Sequence, residues 1–183
     1  MIDPHFWWYL ARASGIVAWA LLTSSMLWGV LMVTRVFRAI DRPAWLLDLH
    51  RWLSALTIFA VILHLLALYA DSYVQFSVAE LIVPFVSTWR PVAVATGVVA
   101  MYLLLAVQIS SLLMKKMSKK IWQAIHLTSY LMFVCVSAHS FLAGHDRGAS
   151  LFQSFAAIVI AVMLLATFTR LRYRKTSVPR IQN

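Results

Sequence analysis

The chain is predicted to be an all-α integral membrane protein, a five-transmembrane-helix bundle with its N-terminus outside and its C-terminus cytoplasmic. Three observations lead there. Hydrophobic residues make up 62% of the 183 residues, charged residues only 12%, and the mean hydropathy is +0.82; a soluble domain is about half apolar and about a quarter charged. Five apolar runs each reach the roughly 20 residues that cross a hydrocarbon core. The basic residues gather in alternate connections between those runs, which is how a chain signals its orientation to the membrane.

The spans follow in order. The first covers about residues 14–34. The second covers 52–70, and its helix reaches back to about residue 44 because Asp41 and Pro43 make a start signal. The third, 91–114, opens at Pro91, whose fixed φ suits a first helical turn. The fourth, 119–143, follows Ser118, a candidate N-cap. The fifth covers 149–169. Between the second and third spans, residues 71–90 contain FSVAELIVPF, which is apolar, includes Pro84 and is too short to cross; it reads as an interfacial or re-entrant segment. Residues 1–183 are one domain's worth of chain. No basic region followed by a cleavage site opens it, so no removable signal peptide is expected.

Orientation comes from charge. Arg35, Arg38, Arg42 and Arg51 lie in the first connection, Lys115, Lys116, Lys119 and Lys120 in the third, and Arg170, Arg172, Arg174, Lys175 and Arg180 in the tail. Those segments hold 13 of the 16 basic residues and share one side, which the positive-inside rule makes cytoplasmic. Arg12, Arg90 and Arg147 face the other side, beside Asp3, Asp71, Glu80 and Asp146. The net charge of +10 is therefore a topology signal and not a nucleic-acid footprint. Cys135, the single cysteine, sits in an apolar run and offers no disulfide.

Four histidines carry the functional signal. His50 and His64 are 14 residues apart on the second span, and His126 and His139 are 13 apart on the fourth. An ionisable side chain inside a membrane span is costly and marks a functional site by default. Both spans run from the cytoplasm outward, so His50 and His126 lie near the inner face and His64 and His139 near the outer one. At 1.5 Å per residue each pair is separated by about 20 Å, which fits two stacked haems in a core of about 30 Å. The pairing is His50 with His126 and His64 with His139, each holding one iron through two imidazoles. Fourteen steps at 100° return a side chain to within about 40° of its start, whereas 13 steps leave it about 140° away. A tilt, a π-bulge or different angles of approach must absorb that difference.

Other readings compete. A haem-free proton or cation transporter would use histidines as relays, yet no carboxylate falls mid-span: Asp48 and Asp71 lie at the ends of span two and Glu80 in a loop. Zinc fits poorly, since ligands about 20 Å apart cannot meet at one ion. A quinol-linked dihaem cytochrome b also carries histidine pairs, but such proteins use glycines to let porphyrins approach, and only Gly15, Gly29 and Gly97 fall near or within spans.

The histidine spacings resemble those of the ferric reductase-like transmembrane domain superfamily, which includes ferric reductases, NADPH oxidases and stand-alone bacterial YedZ/MsrQ-like haem subunits. YLARASGIVAW (Tyr9 to Trp19), LHRWLSAL (Leu49 to Leu56), VAELIVPFVSTWRP (Val78 to Pro91) and IWQAIHLTSYLMF (Ile121 to Phe133) are similar to its stand-alone members. The resemblance implies that His50, His64, His126 and His139 ligate two b-type haems. It also implies electron transfer across the cytoplasmic membrane to an extracytoplasmic acceptor, such as a partner reductase, ferric iron or oxygen. Many members have six spans with histidines on the third and fifth; here they fall on the second and fourth. Others append a cytoplasmic flavin and nicotinamide domain, and no glycine-rich dinucleotide fingerprint is present here. FAD or FMN is accordingly expected only on a partner, and the donor is a separate flavoprotein or a quinol.

Supporting roles are read from depth. Haem propionates are anionic and suit arginine; Arg12 and Arg90 lie near the outer haem's level and Arg35 and Arg51 near the inner one. Arg12 is the best candidate because it opens a span on the sparsely basic side. Phe59, Met132 and Phe133 lie between the haem levels, where core packing explains them as well. Trp7, Trp8, Trp45, Trp89 and Trp122 fit an interfacial belt. His5 and His145 read as surface residues. The 71–90 segment is the expected cap of the outer haem and docking surface for an acceptor. The basic cytoplasmic loops suit an acidic donor or anionic lipid.

Overall fold

The computed structural model describes residues 5–34, 44–144 and 148–176, with side chains described as far as Arg172. The start signal at Asp41 and Pro43, together with Asp3, Arg35, Arg38, Arg42, His145, Asp146, Arg147 and the basic tail beyond Arg172, lies outside that description. The described residues form α1 (Phe6–Thr34), α2 (Trp45–Ala70), α3 (Val78–Ile82), α4 (Pro91–Leu112), α5 (Lys119–Leu127), α6 (Ser129–Ala143) and α7 (Ser150–Thr176), with a short 3₁₀ turn at Met114–Lys116. With α5 and α6 counted as one crossing, five helices are long and apolar enough to span a membrane. Large apolar side chains cover their outer faces: Phe59 is 65% exposed and Leu151 83%. Water would not tolerate such a surface over a whole bundle, but lipid requires it.

The first helix starts at Phe6, well before the apolar run, and α7 runs on to Thr176. Hydropathy marks the part of a helix that must sit in hydrocarbon, whereas backbone hydrogen bonding continues through the polar ends. Pro91 opens α4 as expected, and it forces a second feature. A residue before proline is disfavoured in the right-handed α region, and Arg90 adopts a left-handed conformation at φ 43°. Ser118 caps α5 by accepting from the Ile121 N–H.

Helices in lipid associate through close packing of small residues and through internal hydrogen bonds. Helix α1 lies along α2 and presents buried Ala11, Ser14, Ala18 and Ser25; α2 answers with Thr57, Ala60 and Ala67. Helix α4 lies along α6 and buries Ala93, Ala95 and Ala100, while α7 packs on α1. Buried hydroxyls such as Thr23 and Thr57 bond back to their own helices, at the Trp19 and Leu53 carbonyls, whereas Ser137 Oγ is buried without a hydrogen-bond partner among the described residues. Trp19, Met26, Leu104, Met132, Phe133 and Phe152 form the central core.

The 71–90 segment folds back onto the outer end of the bundle. Asp71 ends α2 and its Oδ2 accepts from the Tyr73 and Val74 N–H groups at 3.2 and 3.0 Å. Ser77 and Glu80 form a reciprocal capping box on α3. Glu80 also accepts from the Thr88 N–H at 3.1 Å, which ties both ends of the segment together. The Ser77 N–H, the Ser77 hydroxyl and the Thr88 N–H hold its carboxyl well below the usual range, at about 2. Phe76 and Leu81 pack under this staple against Val94 and Val98 of α4.

Candidate functional site

Each histidine is placed by one helix and oriented by another. His50 and His64 stand on α2, and their Nδ1 atoms meet the Ser25 and Ala11 carbonyls of α1 at 3.0 and 2.7 Å. His139 stands on α6, and its Nδ1 meets the Ala93 carbonyl of α4 at 2.8 Å. His126, on α5, has the Ser111 hydroxyl of α4 at 3.4 Å from Nδ1. A carbonyl can only accept, so Nδ1 of His50, His64 and His139 donates and Nε2 of those three rings keeps its lone pair. That is the orientation in which a second partner fixes the tautomer of a metal-ligating histidine.

The rings face each other in the expected pairs. His50 and His126 have centroids 6.3 Å apart, and so do His64 and His139. Two imidazoles on opposite sides of one metal, each bonded at about 2.0 Å with its ring nitrogen about 1.1 Å from the centroid, place centroids about 6.2 Å apart. The separation in both pairs is thus one at which two imidazoles could share a metal ion. Among the described residues no three His, Cys, Asp or Glu side chains converge, so each site offers two protein ligands. The outer pair opens on a cavity of about 190 Å³ that Arg12, Trp89, Phe76, Leu81, Val98 and Met132 help to line. A large flat apolar group with one acidic edge suits such a lining.

The 13-residue spacing is accommodated by a break in the fourth span. Between α5 and α6 the Thr128 N–H bonds the Ile125 carbonyl at 3.0 Å, three residues back, and the α pattern resumes with Met132 N–H on the Thr128 carbonyl. Tight 3₁₀-type winding advances about 120° per residue rather than 100°, so it removes part of the 140° shortfall. A π-bulge would unwind the helix in the opposite sense. The angle of approach supplies the rest, since the ring planes meet at 60° in the inner pair and 85° in the outer.

Three expectations about supporting residues change. Phe59 is not between the sites; it faces outward, because its helical phase puts it opposite the buried Thr57 and Ala60 stripe of α2. Met132 and Phe133 are buried at that level. Arg90 is engaged elsewhere: its guanidinium donates to the Leu142 and Ala143 carbonyls at 2.9 and 3.3 Å and so caps the end of α6. Arg51 pairs with Asp48 at 3.1 Å on the exposed face of α2. Among the described arginines Arg12 alone lines the cavity beside His64 and His139.

The glycines also have a different use. Gly15, Gly29 and Gly97 lie against the rings of His64, His50 and His139. A Cβ on Gly97 would stand 2.7 Å from Nδ1 of His139, and one on Gly15 3.2 Å from Nδ1 of His64. Each glycine comes four residues after the carbonyl that its histidine uses. At Gly15 and Gly97 the missing side chain lets the ring reach the backbone of the neighbouring helix, whereas at Gly29 a Cβ would make an ordinary contact of 3.5 Å with His50. Sequence reading weighed these glycines only as room for porphyrins, and Ser111 drew no notice. A signal was present: Gly15 to Gly29 and Gly97 to Ser111 repeat the 14-residue interval of His50 and His64.

The fold and site define a membrane-spanning helical bundle with two facing, half-buried imidazole pairs at two depths. The particular family is shown by its model: residues 7–137 match the ferric reductase like transmembrane component, and the chain belongs to that family. The match includes His50, His64 and His126 and ends two residues before His139. No curated protein and no solved structure matches the chain significantly. Family membership assigns the chain, in general terms, to transmembrane electron transfer by a multi-pass membrane protein that works with redox partners.

Proposed function

We propose that the chain carries electrons across the cytoplasmic membrane through two bis-histidine b-type haems, the inner held by His50 and His126 and the outer by His64 and His139. The observation that carries this reading is the common 6.3 Å separation of two histidine pairs whose Nδ1 atoms all point away from the space between them. Bound there, haem supplies the one-electron ferric and ferrous states that no amino-acid side chain in the bundle offers. The protein supplies the rest. Its imidazoles would hold each haem from both sides and leave no open place for an exogenous ligand, and its apolar walls would exclude water. Arg12 pairs with a propionate at the outer level. Met132, Phe133 and Thr57 fill the interval between the two sites.

The N-terminus outside and the C-terminus cytoplasmic follow from the charge distribution. In that orientation the lysines around Met114–Lys120 surround the inner site and favour an acidic donor, a flavoprotein carrying FAD or FMN; a quinol is the alternative source of electrons. The stapled 71–90 segment covers the outer site, where a reductase, ferric iron or oxygen would take the electron.

The test is a haem-to-protein ratio with a reduced-minus-oxidised spectrum on protein purified in detergent from haem-replete cells. Two low-spin b-type haems per chain are expected. One haem would show that one histidine pair is structural. None would end the electron-transfer reading and favour a transporter that uses intramembrane histidines.

A further inference from the structure

Four stations on α1 and α4 hold the histidines, and they share one local design. At residues 11, 25, 93 and 107 a backbone carbonyl faces the interior, and four residues later comes Gly15, Gly29, Gly97 or Ser111. At three stations the carbonyl itself accepts from the ring, at 2.7, 3.0 and 2.8 Å. The fourth departs. Ser111 has a Cβ where the others have none, its hydroxyl donates to the Val107 carbonyl at 2.7 Å, and His126 Nδ1 stays 3.4 Å from that hydroxyl. A separation of 3.4 Å lies beyond the usual range of 2.7–3.2 Å for a hydrogen bond from N–H to oxygen.

The neighbouring hydroxyls do not explain the difference. Ser110 donates to the Val107 carbonyl at 3.0 Å, but Ser14 and Thr96 bond the Ala11 and Ala93 carbonyls in the same way, and those carbonyls still accept from His64 and His139. At the fourth station the side chain of residue 111 adds a Cβ and a second hydroxyl on the Val107 carbonyl.

We infer that Ser111 is a positioning residue that sets the two redox centres apart in potential: by holding His126 off the Val107 carbonyl, it raises the inner centre above the outer one. A strong Nδ1–H to carbonyl bond makes an imidazole a more basic ligand, and a more basic ligand stabilises the ferric state. His64 and His139 both have such a bond, whereas the inner site has it only on His50. Arg170, which donates to the Tyr130 hydroxyl at 2.8 Å one turn beyond His126, adds positive charge on the inner side and acts in the same sense.

This inference rests on the two-haem reading and is tested apart from it. Potentiometric titration of the wild-type protein, after its haem content has been counted, should resolve two midpoints, and the higher should be the one lost in His126→Ala. Ser111→Gly opens the Val107 carbonyl, so the inner midpoint should fall toward the outer while haem content stays at two. Ser111→Ala keeps the Cβ and loses only the hydroxyl, and it should not lower that midpoint. Two haems with the lower midpoint assigned to His126, or an equal fall in Ser111→Gly and Ser111→Ala, would overturn the role of Ser111 and leave the two-haem reading standing. Fewer than two haems in the wild type would overturn both.

Discussion

Replacing Gly97 by alanine tests the site where its geometry is tightest. The new Cβ would stand 2.7 Å from Nδ1 and 2.8 Å from Cε1 of His139, where carbon contacts settle at about 3.5–4.0 Å. The ring must retreat by roughly 0.7–1 Å, and in doing so it leaves the Ala93 carbonyl that now orients it at 2.8 Å. Overpacking costs about 1–3 kcal/mol and the lost hydrogen bond about 1 kcal/mol. Together these weaken the outer site by roughly 2–4 kcal/mol, or about 30- to 700-fold in affinity. Gly29→Ala is the internal control, because its Cβ would meet His50 at 3.5 Å, an ordinary contact. Gly15→Ala, at 3.2 Å, should fall between them. The assay is haem per chain together with low-temperature EPR, which separates two low-spin signals. Gly97→Ala should lose the outer signal and keep the inner one, while Gly29→Ala keeps both. A Gly97→Ala protein with two unaltered signals, or a Gly29→Ala protein that loses one, would refute the close-approach role of these glycines.

Other outcomes follow from the same geometry. His50→Ala or His126→Ala should remove one haem, and His64→Ala or His139→Ala the other, each leaving the partner spectrum in place; loss of both from any single change would show that the sites are not separate. Arg90→Ala removes two charge-assisted bonds to the end of α6 and should cost about 1–3 kcal/mol, read as a lower unfolding temperature in detergent with haem content retained. The 71–90 segment should hold its fold well into acid. The Glu80 carboxyl is depressed to about 2, so its contribution is fully present above the ordinary carboxylate range and is lost as pH falls toward 2. Hydrogen exchange of the Ser77 and Thr88 amides should speed up only at the acid end, and in Glu80→Gln it should be faster at neutral pH too; unchanged exchange in that variant would dismiss the staple.

How much of this was legible depended on whether a property is local. Five spans could be read because a run of about 20 apolar residues declares itself without reference to any neighbour. The depth of each histidine could be read because rise per residue is a property of the helix alone, and pairing at equal depth followed from that. Azimuth could not be read. Phe59 shares its depth with Thr57 and faces the other way, and its direction depends on which side of α2 receives α1. The phase of His139 relative to His126 was likewise hidden, since it is reset at Thr128 by a hydrogen bond that hydropathy does not register.

The amino-acid sequence by itself determined a membrane bundle and four histidines at two levels, because hydrophobicity and helical rise act along one chain segment at a time. Only the tertiary structure decided what surrounds them. It brought Gly15, Gly29 and Gly97 against imidazole rings, engaged Arg90 at the end of α6, and set the Ser111 hydroxyl beside His126. Each of those is a contact between helices far apart in the chain, and such contacts depend on helix phase and packing, which no single segment encodes.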